Sequence, residues 1–122
     1  MAKASRDAGK RAEREARDEL KALWPDARRG LPQSAGPIEA DIENIPLRAE
    51  VKSWKRWPNV EAAIEQCARD AAKRGDSRPQ CVIHKRKSVT KWRITFTMSE
   101  FVRFVQKARS DALQAAKEQQ DE

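Results

Sequence analysis

Apolar residues return every three or four positions along the first part of the chain. Ala8, Ala12, Ala16, Leu20 and Leu23 line one side of a segment from about Ser5 to Trp24, which predicts a helix that Pro25 ends. From Asp26 to Gly36 the pattern breaks into turn residues that carry Arg28 and Arg29. Strict alternation follows. Ile38, Ala40 and Ile42 share one face, with Glu39 and Asp41 on the other. Leu47, Ala49 and Val51 share one face, with Arg48, Glu50 and Lys52 opposite. Glu43-Asn-Ile-Pro46 between them suits a hairpin connection.

A second helix opens at Pro58-Asn59 with Asn59 as its N-cap, buries Val60, Ala63, Ile64, Cys67, Ala68 and Ala71, and closes at Gly75. Strands are expected at Gln80–Lys85 and Trp92–Thr97, joined by a basic turn at Arg86–Thr90. Thr97-Met-Ser-Glu100 reads as a capping box for a third helix whose apolar stripe is Met98, Phe101, Val102, Val105 and Ala108. Past Gln114 the chain turns polar. The expectation is one α/β domain over residues 1–113, a central mixed β-sheet of about four to five strands flanked by helices. Residues 114–122 are expected to form a frayed tail.

Composition narrows the chemistry. With 26 Lys and Arg against 19 Asp and Glu, the formal charge is +7, the footprint of a polyanion binder, which nucleic-acid and membrane-surface proteins share. No apolar run approaches the roughly 18 residues of a membrane span. The polar Met-Ala-Lys-Ala-Ser-Arg opening has no signal-peptide core, so a cytoplasmic location is expected. One histidine and two scattered cysteines exclude a zinc finger or an HNH-type site, and Cys67 and Cys81 read as reduced core residues. Tyrosine is absent, so a tyrosine nucleophile is excluded. A chain of this composition that cuts DNA is left with carboxylates and a metal.

The segment that fits such chemistry is Asp41 followed by Glu50-Val51-Lys52. Glu50 and Lys52 emerge on one side of a strand, about 6–7 Å apart along it, and Asp41 on the hairpin partner can face the same side. Asp41, Glu50 and the Val51 carbonyl are hard oxygen donors of the kind magnesium takes. Lys52 can orient a water or offset charge on a phosphate. The plainer reading is a cross-strand ion pair on a wet strand face. Glu13 also has two readings. It lies within the apolar sector of the first helix at roughly 100° per residue, where a carboxylate needs a partner or a metal; it can also reach water at the helix end.

At these residues the sequence resembles the archaeal Holliday junction resolvases and their phage-encoded relatives, within the PD-(D/E)xK nuclease superfamily. Gly9-Lys-Arg-Ala-Glu13-Arg14-Glu15 looks like the family's first-helix signature, Gly-x-x-Ala-Glu-Arg-Glu, and Glu50-Val51-Lys52 matches its Glu-x-Lys. The resemblance spans about residues 9 to 105 and implies a restriction-endonuclease-like core. It assigns Glu13, Asp41 and Glu50 to a Mg2+ site (Mn2+ as substitute), Lys52 to catalysis and Arg14 to DNA. It also assigns a first-strand arginine, Arg28 or Arg29, and leaves Gln66 either an added site glutamine or a solvated one. It implies action on branched DNA as a homodimer, with Trp57 and Phe104 as exposed apolar candidates for the contact. Two departures bear on junction selectivity. Only eight residues separate Asp41 from Glu50, tighter than in the archaeal enzymes, and Ser53-Trp-Lys-Arg-Trp57 is closer to phage versions.

For DNA contact, Lys55 and Arg56 are expected on phosphates, and Trp54 or Trp57 either stacks on a base or packs in a core or dimer interface. Lys85, Arg86 and Lys87, with Lys91 and Arg93, form a second basic patch or a solvated hairpin. His84 is expected to be a strand residue with no catalytic part. The function expected is a metal-dependent DNA endonuclease. The alternatives are a nuclease without junction selectivity and a non-catalytic DNA-binding protein on the same scaffold.

Overall fold

A computed structural model describes residues 2–31, 39–55 and 58–120, with side chains from Ala8 onward. The elements run α1 (Ala2–Leu20), β1 (Arg28–Arg29), β2 (Ile42–Glu43), β3 (Arg48–Trp54), α2 (Val60–Arg74), β4 (Gln80–Arg86), β5 (Arg93–Thr95) and α3 (Met98–Gln120). The five strands form one sheet in sequence order. β1, β2 and β3 pair antiparallel, β3 and β4 pair parallel across the α2 crossover, and β4 pairs antiparallel with β5. The described residues thus form an α/β domain with a five-stranded mixed sheet and three helices.

α1 and α2 both pack on β3. Ala12 and Ala16 of α1 join Ile42, Leu47, Ala49, Val51, Cys81 and Ile83 in the main core. α2 adds Ala63, Cys67 and Ala71, all buried. With helices on two sides, β3 has no wet face where it matters. Arg48 is 1% exposed and Glu50 6%, so the alternation of charged and apolar residues marks two buried environments. A fully buried guanidinium requires a partner, and Arg48 finds Asp76 at 3.3 Å. Asp76 also binds Arg78, which bridges to Glu43 at 3.1 Å. This ionic chain ties the start of β3, the end of β2 and the α2–β4 connection together.

Several boundaries differ from the sequence reading. α1 stops at Leu20, where Leu23 and Trp24 both donate to the Leu20 carbonyl in a tight turn, and Leu23 is left exposed. The first alternating segment pairs only at Ile42; Ile38 lies outside the described residues. β4 takes in Arg86, and β5 is shorter than expected. α2 ends as predicted, with Asn59 accepting from the Ala62 N–H and Gly75 left-handed at φ 70°. α3 holds the largest surprise. It runs unbroken to Gln120, and none of its residues is buried, including the Met98, Phe101, Val102, Val105 and Ala108 stripe. The sheet ends at β5, and α3 leans on its rim, with Phe101 and Phe104 against Phe96 and the Glu100 carboxylate accepting the Gln80 N–H.

Candidate active site

The site lies where the short strand β2 ends. Ile42 pairs with Ala49, so a longer β2 would set Ala40 opposite Val51. Instead the Ala40 N–H turns to the Glu43 carboxylate at 2.8 Å, and Asp41 Oδ2 accepts the Val51 N–H at 2.7 Å. A carboxylate thereby occupies the next place in the ladder. The Val51 carbonyl lies on the same edge of β3 as its N–H and faces the same opening. Gly30 braces the segment from the other side: its N–H donates to the Asp41 carbonyl at 2.9 Å, and a Cβ there would overlap the Ala40 carbonyl oxygen.

Glu50 is buried beside Asp41, and Lys52 Nζ stands 3.6 Å from Glu50 Oε1. Burial pushes Glu50 up to about 8, reinforced by the negative charges of Asp41 and Asp70 and opposed by Lys52. Burial likewise pushes Asp41 up to about 6, against the Val51 hydrogen bond, while Glu13 adds to the rise. Two carboxylates therefore share a desolvated place with too little positive charge nearby to ionise both comfortably. Such a pair is relieved either by keeping a proton or by a cation brought between them.

Glu13 reaches this neighbourhood from α1, but its carboxylate is taken by Arg29, whose Nη2 and Nε donate at 3.1 and 3.2 Å. Among the described residues no group of three or more His, Cys, Asp or Glu side chains is arranged to hold a metal ion as it stands. The donor pair present is Asp41 with Glu50. Consecutive strand residues point to opposite sides, so Arg29 meets Glu13 while Arg28 forks onto Glu39 at 3.1 and 3.2 Å. Glu39, which shares Asp41's face in the sequence pattern, is drawn instead to Arg28 and the Leu31 N–H, and held near 2.

Gln66 is half-buried on α2, but the α2 side chain whose charge acts on Glu50 is Asp70, one turn later. Asp70 was legible only as a polar position between the buried Cys67 and Ala71. Glu43, which accepts the Ala40 N–H, and Arg78, which holds Glu43, gave no signal as a pair because they stand 35 residues apart in sequence.

The basic residues divide into two groups. Lys85 is held by Glu15 at 3.0 Å and lies over the Trp92 ring at 5.3 Å, where it braces α1 against the β4–β5 hairpin. Arg14, Lys55, Arg86, Lys87, Lys91 and Arg93 are exposed. Because β3 and β4 are parallel, Lys55 and Arg86 leave the sheet at the same end, where the Lys87 N–H bonds the Trp54 carbonyl at 2.9 Å. Trp54 is half-buried and packs at 5.5 Å against His84, which pairs with Thr95 and is shifted down by burial. Arg56 and Trp57 lie outside the described residues. No protein-family model, curated protein or solved structure matches this chain.

Proposed function

We propose that this chain is a metal-dependent DNA endonuclease that hydrolyses phosphodiester bonds in branched DNA such as a four-way junction. One observation carries the reading: the buried Glu50 and the half-buried Asp41 lie side by side with Lys52 beside them, on a strand followed by the exposed Lys55. Buried like charges cost free energy, and a divalent cation relieves that cost where ordinary packing would have removed the charges. Asp41, Glu50 and the Val51 carbonyl would hold Mg2+, or Mn2+ in its place. When bound, such an ion polarises a phosphate and acidifies water. Lys52, 3.6 Å from Glu50, is placed to orient that water or offset charge on the phosphate. Arg29 fixes Glu13, so Glu13 enters the site only by exchanging that partner. The working form is a homodimer in the cytoplasm of a bacterium or phage-infected host.

The arrest of Glu13 by Arg29 favours one competing reading, a non-catalytic DNA-binding protein on the same scaffold. A labelled four-way junction, a linear duplex and a single strand, each incubated with magnesium and then with EDTA, separate the two. Magnesium-dependent cutting lost in Glu50→Gln and Lys52→Ala supports the enzyme. Binding without cutting under all conditions leaves the binding protein, and cutting of linear duplex as readily as junction leaves a general nuclease.

A further inference from the structure

Alternation puts Glu50, Lys52 and Trp54 on one face of β3, and the register carries that face across the sheet. Lys52 pairs with His84 on β4, and His84 pairs with Arg93 on β5. Paired residues share a face, so the three side chains form one row at right angles to the strands, with neighbours about 5 Å apart. The next row along the strands reads Glu50, Val82 and Thr95. Glu50 is the only carboxylate that β3, β4 and β5 carry.

α2 covers the start of this face, where Cys67 Sγ meets the Arg48 carbonyl at 3.4 Å. The cover thins along β3. Arg48 and Glu50 are buried, the Lys52 side chain is 31% exposed, His84 is half-buried and Arg93 is exposed. Among the described residues no carboxylate pairs with Arg93, in contrast to Arg28, Arg29, Arg48 and Arg78.

His84 is held so that it can donate. Its Nε2 lies 2.9 Å from Thr95 Oγ1, and its ring packs on Trp54 at 5.5 Å. Burial, with the Arg93 charge beside it, pushes the imidazole's pKa down, so near neutral pH the ring is uncharged. With the Thr95 hydroxyl donating to Nε2, the ring proton sits on Nδ1, which has no partner among the described residues. An ammonium, an imidazole N–H and a guanidinium in line suit a phosphodiester, whose oxygens accept from all three.

We infer that His84 and Arg93 hold the backbone phosphate next to the one cut, with Lys52 between that phosphate and the Asp41–Glu50 pair. The nucleic-acid strand then crosses β3, β4 and β5 in that order. Which phosphate is cut rests on the nuclease reading; the phosphate seat rests on the row alone.

His84 is the single histidine of the chain, so its ring-proton NMR signals report on this row. The untagged chain is titrated with a thymidine trinucleotide in the presence of EDTA, and the His84 signals should shift and saturate. Arg93→Ala, at an exposed position, should weaken the probe at least about tenfold, the worth of one hydrogen bond to a charged group. Lys117→Ala removes the same charge from α3 and should leave the affinity nearly unchanged. Signals that do not move, or equal weakening by both variants, overturn the row as a phosphate seat. Magnesium-dependent cleavage of a labelled junction by the same preparation judges the nuclease reading separately. Cutting with unmoved His84 signals sinks the row and keeps the enzyme, whereas saturable shifts without cutting sink the enzyme and keep the row.

Discussion

At the residue scale, Glu50 is expensive to keep charged, and the sign of that cost is testable. Its pKa is raised in the folded state, so the native chain binds this proton more tightly than the unfolded chain does. Folding stability should therefore fall as pH rises from about 4.5 toward about 8. Glu50→Gln removes the charge and keeps the shape. Thermal melts at pH 8 should find the variant more stable by at least about 1 kcal/mol, the worth of one pKa unit. The advantage should vanish at pH 4, where wild-type Glu50 is already protonated. An equal effect at both pH values would mean that Glu50 is not strained by burial. Magnesium should raise the wild-type melting temperature at pH 8 and leave that of Glu50→Gln unmoved. Asp76 has the opposite sign. Burial alone would raise it, but the bonds from Arg78 and Arg48 hold it near 2, so its contribution is present above pH 4 and lost as pH falls toward 2. Asp76→Asn removes the negative charge that the buried Arg48 and the half-buried Arg78 both face, and urea unfolding should record a loss of about 3–5 kcal/mol.

At the scale of elements, the site depends on a strand that stops early. Gly30 donates to Asp41 and has no room for a Cβ against Ala40, so Gly30→Ala must displace the Ala40–Asp41 backbone from its place beside β3. Overpacking of this kind costs about 1–3 kcal/mol. Chemical unfolding should find that loss, and magnesium titration should find affinity lowered at least tenfold, because Asp41 no longer reaches the Val51 N–H. Intact affinity would mean that Asp41 is not a ligand. This contact also marks how far the sequence could be read. Helical periodicity located α1 and α2, and alternation located β3 and β4, because those signals depend only on near neighbours in the chain. Alternation also placed Glu50 and Lys52 on one side of β3. It could not assign Glu39 to Arg28 and Asp41 to Val51, since both acids share one parity and only the paired strands separate them. It could not choose between Arg28 and Arg29 for the same reason. In α3 the apolar stripe was read correctly as a stripe, but periodicity does not say whether the surface that covers it belongs to the same chain.

At the scale of the whole molecule, the +7 charge is not spread evenly, and its placement sets how the chain should respond to salt. Glu13, Glu15, Glu39, Glu43 and Asp76 each neutralise a named cation inside the fold, so Arg29, Lys85, Arg28 and Arg78 are spent internally. Among the described residues, the cations exposed near the open end of β3 and β4 include Lys55, Arg86, Lys87 and Lys91. A polyanion docking there releases counterions in proportion to the phosphates neutralised, with a slope of log affinity against log salt of about −0.9 per phosphate on duplex DNA. Arg86→Ala with Lys87→Ala should lower duplex affinity and flatten that slope by about one to two, with no change in preference among sequences. Lys85→Ala offers the contrast. Its ammonium is held by Glu15 and Trp92, so its removal should cost stability while leaving the slope where it was. Titrating DNA at several salt concentrations distinguishes these outcomes. Should Lys85→Ala flatten the slope as much as the double variant does, the partition into internal and external cations fails, and with it the placement of DNA across the open end of the sheet.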